Sequence, residues 1–337
     1  MSLAAVWFVF IGLMLTGYAI LDGFDLGVGA LHLFVARNDG ERTQVLNSIG
    51  PVWDGNEVWL IASGGALFAA FPHAYATVFS GFYLAMVMLL GALIVRAVSI
   101  EFRGKETARI WRAGWDLGFA FGSIAAVLLF GIALGNVLRG IPIDPDGGYR
   151  GGLVGLLNPF AISIGVLALG LALLQGSAWL VLKTEGPVQE RARWTGGFAL
   201  FLVLAAWIAA SGLGWSDAKR VFDNFGSLLA WAAPVLTGAV MILMVMAWRA
   251  RQDGRAFFFS SLAVLGMAAT AGLALYPNLV PAVDVARSVT IDNAHSSDTA
   301  LTLLLMVGLI GMPIVIGYTT FIYWKFKGKV RLDGAGY

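Results

Sequence analysis

Nine stretches of the chain are apolar over enough consecutive positions to cross a bilayer, and short polar connections separate them. They fall at roughly residues 3 to 35, 52 to 71, 77 to 98, 115 to 138, 158 to 182, 197 to 214, 228 to 248, 256 to 276 and 300 to 324. A spanning helix needs about 20 mostly apolar residues, and backbone groups in lipid must pair within their own segment. The alternating ten-residue pattern of a membrane β-barrel is absent. The pattern therefore predicts an all-α integral membrane protein with nine transmembrane helices and termini on opposite sides. The N-terminal run "MSLAAVWFVFIGLM" has no basic leading region and continues past signal-peptide length, so it is expected to be a retained helix. Pro234 and Pro313 are expected to kink their helices.

Composition agrees with that reading: 59% of the 337 residues are hydrophobic and 12% charged, and mean hydropathy is +0.81. A formal charge of +2 gives no reason to expect nucleic acid as a partner. With no cysteine, disulfides and thiolate metal sites are excluded. The basic residues are asymmetric. The connections at 37 to 42, 103 to 112, 183 to 193, 249 to 255 and 325 to 331 hold 16 Lys and Arg, against 5 on the other side. By the positive-inside rule the N-terminus is expected outside and the C-terminus in the cytoplasm. No linker divides the chain, so residues 1 to 337 are expected to form a single polytopic membrane domain.

Ionisable groups in the apolar runs are few, and each costs about 2.5 to 3.5 kcal/mol on insertion scales. They are Asp22, Asp25 and Arg96, with Asp54, Glu57, Glu101 and Asp116 near span ends. All seven fall in the inner half of the membrane under the expected orientation. Asp22 and Asp25, three residues apart, share a helix face. They either pair with Arg96 to hold helices together or take up and release protons. Asp54 and Glu57 fit a capping box opening the second span, and also the mouth of a proton path. Trp53 and Trp59 read as interfacial anchors. His32, His73 and His295 are too scattered for a shared metal or haem and read as structural, and Ser296, Ser297 and Asp298 read as the N-cap of the last span.

The segments "GYAILDGFDLGVGAL", "SIGPVWDGNEVWLIASGGALFAAFP", "FSGFYLAM" and "NPFAISIG" resemble subunit II of the cytochrome bd-type quinol oxidases, in order and over essentially the whole chain. The short outer loop near 215 to 227 is similar to the compact, cyanide-insensitive branch. The resemblance implies two four-helix bundles plus one peripheral helix. It implies a heterodimer with a haem-bearing subunit I that holds haems b558, b595 and d, often with a small single-span accessory subunit, among membrane lipids of the bacterial inner membrane. Quinol is the substrate and O2 is reduced to water; this chain ligates no haem, and the resemblance leaves room for a lipid or quinone on it. Carried over by motif, Asp25 and Asp54 match the family's acids and Arg96 a basic residue of the third span, while Glu57 stands where some members have Gln. The implied role is a cytoplasmic proton pathway through Asp25, Asp54, Glu57 and Asp22, with Arg96 in a structural ion pair. An ion-coupled secondary transporter, with the acids binding H⁺ or Na⁺, is the alternative.

Overall fold

The computed structural model of the protein describes residues 2–144, 148–149, 151–228 and 230–330. Its first helix, α1 (Leu3–Val35), opens at Ser2, whose hydroxyl accepts from the Ala5 amide. This helix is the axis of the molecule: α3 (Trp53–Ala70), α6 (Arg109–Arg139) and α7 (Pro159–Lys183) all pack along it. The contact with α7 is made by glycines. A Cβ on Gly27 would run into the Ala172 carbonyl, and one on Gly176 into the Gly27 backbone, so the two helices touch main chain to main chain.

The first bundle comprises α1, α3, α5 (Tyr83–Phe102) and α6; the second comprises α7, α8 (Gly186–Asp217), α9 (Ala232–Arg249) and α10 (Asp253–Leu275). The last helix, α11 (Asp298–Lys325), lies outside both against α1 and α3 and buries only Leu301. Ser297 caps it by accepting from the Ala300 amide, as the sequence suggested.

Among the described residues, eight helices are long and apolar enough to span a membrane: α1, α5, α6, α7, α8, α9, α10 and α11. The ninth expected span is α3, which is not among them; Asp54, Asn56 and Glu57 dilute its first turns. The run expected from 77 to 98 is also divided. Pro72 starts a separate helix, α4 (Pro72–Gly81), and the chain breaks helical geometry at Phe82 before α5. Pro234 falls in the first turn of α9, where its missing N–H costs nothing, so the expected kink has no cause there. Pro313 does lie inside α11.

One helix was not announced by hydropathy. α2 (Asp39–Ile49) is polar, and Asn38 caps it by accepting from the Glu41 amide. It lies at the end of the bundle that carries most of the Lys and Arg. There Arg191 donates to the Val35 carbonyl and to Glu41, and Arg193 to Asp253. The tail after α11 closes the same end: Val330 N–H donates to the Lys183 carbonyl, and Gln44 to the Val330 carbonyl. At the opposite end a short antiparallel ribbon, β1 (Asn278–Val280) and β2 (Val289–Thr290), packs with Trp7, Phe71 and Phe82.

Candidate functional site

The site is built on one face of α1. Tyr18, Asp22, Asp25 and His32 are spaced four, three and seven residues apart, a helical repeat that aligns them along a single stripe, and all four are buried. Desolvating two carboxyl groups on one helix requires partners from others.

Arg96 of α5 supplies the charge. Its Nη2 donates to Asp22 Oδ1 at 2.6 Å and its Nη1 to Glu57 Oε1 at 2.5 Å. The guanidinium is fully buried, and Glu57, with 27% of its side chain exposed, is the wettest member of the triad. The close approach of α5 to α6 that holds Arg96 depends on Gly122, where a Cβ would sit 2.6 Å from the Ala92 carbonyl oxygen and 3.2 Å from Arg96 Cβ.

Asp25 is served differently. Asn56 Nδ2 donates to Asp25 Oδ2 at 2.7 Å, and the Tyr323 hydroxyl donates to Asn56 Oδ1 at 3.0 Å. Tyr18 Oη, Asp22 Oδ2, Asp25 Oδ1 and Arg96 Nε are buried without a hydrogen-bond partner among the described residues. One guanidinium thus faces three carboxyl groups, and acceptor atoms remain free. Such a cluster can gain or lose a proton without creating an uncompensated charge in every state.

Asp54 is elsewhere. It stands in the first turn of α3, exposed, and its side chain makes no hydrogen bond or ion pair among the described residues. The expected capping box does not form: Val52 is the N-cap, no side chain caps the helix, and Glu57 turns to Arg96. Trp53 is buried with Val35, Ile49 and Trp179 rather than anchored at an interface, and the Trp59 ring lies against Gly17 of α1. Glu101 is exposed.

A second polar cluster joins the stripe at the basic end. His32 Nε2 and Asp116 Oδ1 lie 2.7 Å apart, and Asp116 also accepts from Arg103 at 2.5 Å and Arg42 at 2.8 Å. Arg103 continues to Asp39 at 2.7 Å, and Arg112 also donates to Asp39. This network ties α1, α2, the α5–α6 turn and α6 together. The sequence showed Asp116 as an acid near a span end and His32 as a lone histidine, but not that they meet. Outside the spans, the Arg191 guanidinium bonded to Glu41 holds that carboxyl below its usual range.

His73 is exposed, and His295 Nδ1 lies 2.7 Å from the Ser296 carbonyl oxygen. His32 is engaged by Asp116 and the three histidines lie in separate parts of the structure, and among the described residues no three His, Cys, Asp or Glu side chains converge as a metal site. The segment 143 to 152 lies partly outside the described residues.

Residues 3–326 match the family model described as cytochrome bd terminal oxidase subunit II. The chain is 36% identical over 360 residues to the cytochrome bd-I ubiquinol oxidase subunit 2 of Escherichia coli, covering 97% of this chain and 95% of that protein. It is 34% identical over 333 residues to the cytochrome bd ubiquinol oxidase subunit 2 of Bacillus subtilis, covering 98% and 97%. Its fold is similar to a chain of the bd oxidase from Geobacillus thermodenitrificans, with a TM-score of 0.81 at 17% identity over 97% of this chain and 99% of that one. A bundle of apolar helices around a buried acid stripe, matched along nearly its whole length, belongs to the subunit II family of the cytochrome bd terminal oxidases.

Proposed function

We propose that this chain is the second subunit of a quinol:oxygen oxidoreductase in a bacterial inner membrane, and that its buried acids supply protons to the reaction. Family membership carries the first part, and the Asp22–Glu57–Arg96 cluster with the adjoining Asp25 carries the second. Reducing O2 by four electrons to two waters consumes four protons. Drawn from the cytoplasm while quinol releases its protons outside, they charge the membrane without a pump.

The haems b558, b595 and d belong to the partner subunit in this reading and supply the electron transfer; the polar stripe of α1 supplies a buried proton store on the cytoplasmic side. Asp25 accepts and releases the proton, Asp22 and Arg96 keep the local charge balanced, and Glu57 links the store to water. Asp54 lies on the exposed face of α3. A carboxylate there is costly against lipid, which favours that face as the docking surface for the haem-bearing subunit. A small accessory span and bound lipid complete the assembly. Nothing in the comparisons supports the transporter alternative.

The test is Asp25→Asn in the purified complex. The expected result is an unchanged haem spectrum with quinol-dependent O2 consumption reduced at least tenfold, a typical loss for a missing acid–base group, about 10²-fold or more at the upper end. Full turnover would make the acid dispensable, and loss of the haems would make it structural.

A further inference from the structure

Asn56 carries no charge and Tyr323 lies at the far end of the chain, yet both converge on Asp25. The orientation of the Asn56 amide follows from its neighbours. The Leu21 carbonyl, 3.3 Å away, can only accept, so the nitrogen end of Asn56 faces α1 and reaches Asp25 Oδ2 at 2.7 Å. The oxygen end then faces Tyr323, whose hydroxyl must donate. The phenol ring packs edge-on against Phe24 at 6.4 Å and Trp179 at 5.9 Å, contacts that favour this orientation.

Asp25 Oδ2 is therefore occupied by an N–H, while Oδ1 is buried with no hydrogen-bond partner among the described residues. We propose that Asn56 and Tyr323 form a positioning clamp, which fixes Oδ1 as the atom of Asp25 that exchanges the proton and makes α11 part of the delivery route. This rests on the reading of Asp25 as a proton carrier. In the transfer, a proton adds to Oδ1 to give the neutral acid and later leaves from the same oxygen. Oδ2 keeps its bond to Asn56 throughout, so the carboxyl group does not rotate between uptake and release.

The titratable and charged groups facing Asp25 are Asp22 and Tyr18 of α1, Glu57 of α3, Arg96 of α5 and Tyr323 of α11. Helix α7 brings no ionisable side chain before Lys183, α10 presents Phe257 to this level, and Asp116 of α6 is engaged by His32.

Tyr323→Phe keeps the ring and removes only the hydroxyl. In the haem-loaded complex, with turnover normalised to haem, the clamp predicts an unchanged KM for quinol. It predicts a kcat lowered about fivefold to tenfold, as for one hydrogen bond, and a pH profile of turnover displaced by about one unit. It also predicts that Tyr323→Phe adds nothing in the Asp25→Asn background, whereas a merely structural contact would cost the same in both. Asn56→Ser provides a second variant with the same expected displacement. The clamp is overturned if Tyr323→Phe and Asn56→Ser keep the original turnover and pH profile while Asp25→Asn is impaired. It is also overturned if neither variant yields a haem-loaded complex, which makes the pair structural. An unimpaired Asp25→Asn, by contrast, defeats the proton-carrier reading itself.

Discussion

Arg96 is the residue on which the charge balance of the first bundle turns. It is fully buried, and its two nitrogens are committed to two different helices. Removing one partner of a buried pair leaves an uncompensated charge, at a cost of about 3–5 kcal/mol. Arg96→Met is thus expected to reduce the yield of haem-loaded complex sharply, and a second change, Asp22→Asn, to restore part of it; haem per mole of purified protein reads both. The sequence made the acids visible, since a carboxylate in an apolar run has no cheap explanation. It did not decide which of them Arg96 would meet. Spacing offered Asp22 and Asp25 alike as partners of Arg96, and the family resemblance grouped Asp25 with Asp54 and Arg96, whereas Arg96 meets Asp22 and Glu57. The cause is helical rotation: residues two apart on a helix point to nearly opposite sides, so turning Asn56 inward to α1 sends Asp54 outward. Asn56 and Tyr323 left no hydropathy signal, and 267 residues separate them.

Among the elements, α1 and α7 depend most on close backbone contact. A methyl group on Gly27 meets the Ala172 carbonyl, whereas one on Gly238 of α9 meets nothing within 4 Å in this chain. Gly27→Ala is expected to destabilise the assembled complex by about 1–3 kcal/mol, an overpacking cost, and Gly238→Ala to stay within about 0.5 kcal/mol. Thermal midpoints of the two complexes, followed by loss of the haem spectrum, compare them directly. Helix existence was legible because apolar length is a strong signal, but helix limits were not. Phe71 and Phe82 end helices in the middle of apolar sequence, where hydropathy does not change. The polar α2 was invisible for the opposite reason: its stability comes from the Asn38 cap and from Val45, Leu46 and Ile49 packing beneath α1, contacts that only the folded chain supplies.

For the whole molecule, the two-bundle arrangement follows from the order of helices, and the basic connections predict its orientation. The chain has no cysteine, so single cysteines can report the sidedness. Lys327 follows α11 and Ser227 precedes α9, and both are exposed. With the C-terminus in the cytoplasm, a membrane-impermeant maleimide is expected to label Lys327→Cys only in inverted vesicles and Ser227→Cys only in right-side-out ones. The Asp22–Arg96 pair also has a history in time. Its partners are 74 residues apart in the chain, and at about 5–20 residues per second of synthesis the arginine emerges roughly 4 to 15 s after the aspartate. Throughout that interval α1 carries an acid whose counter-ion has not yet been made. The newborn helix must therefore be sheltered by the insertion machinery, or hold its acid uncharged, until α5 arrives, and this waiting period is built into the order of the gene.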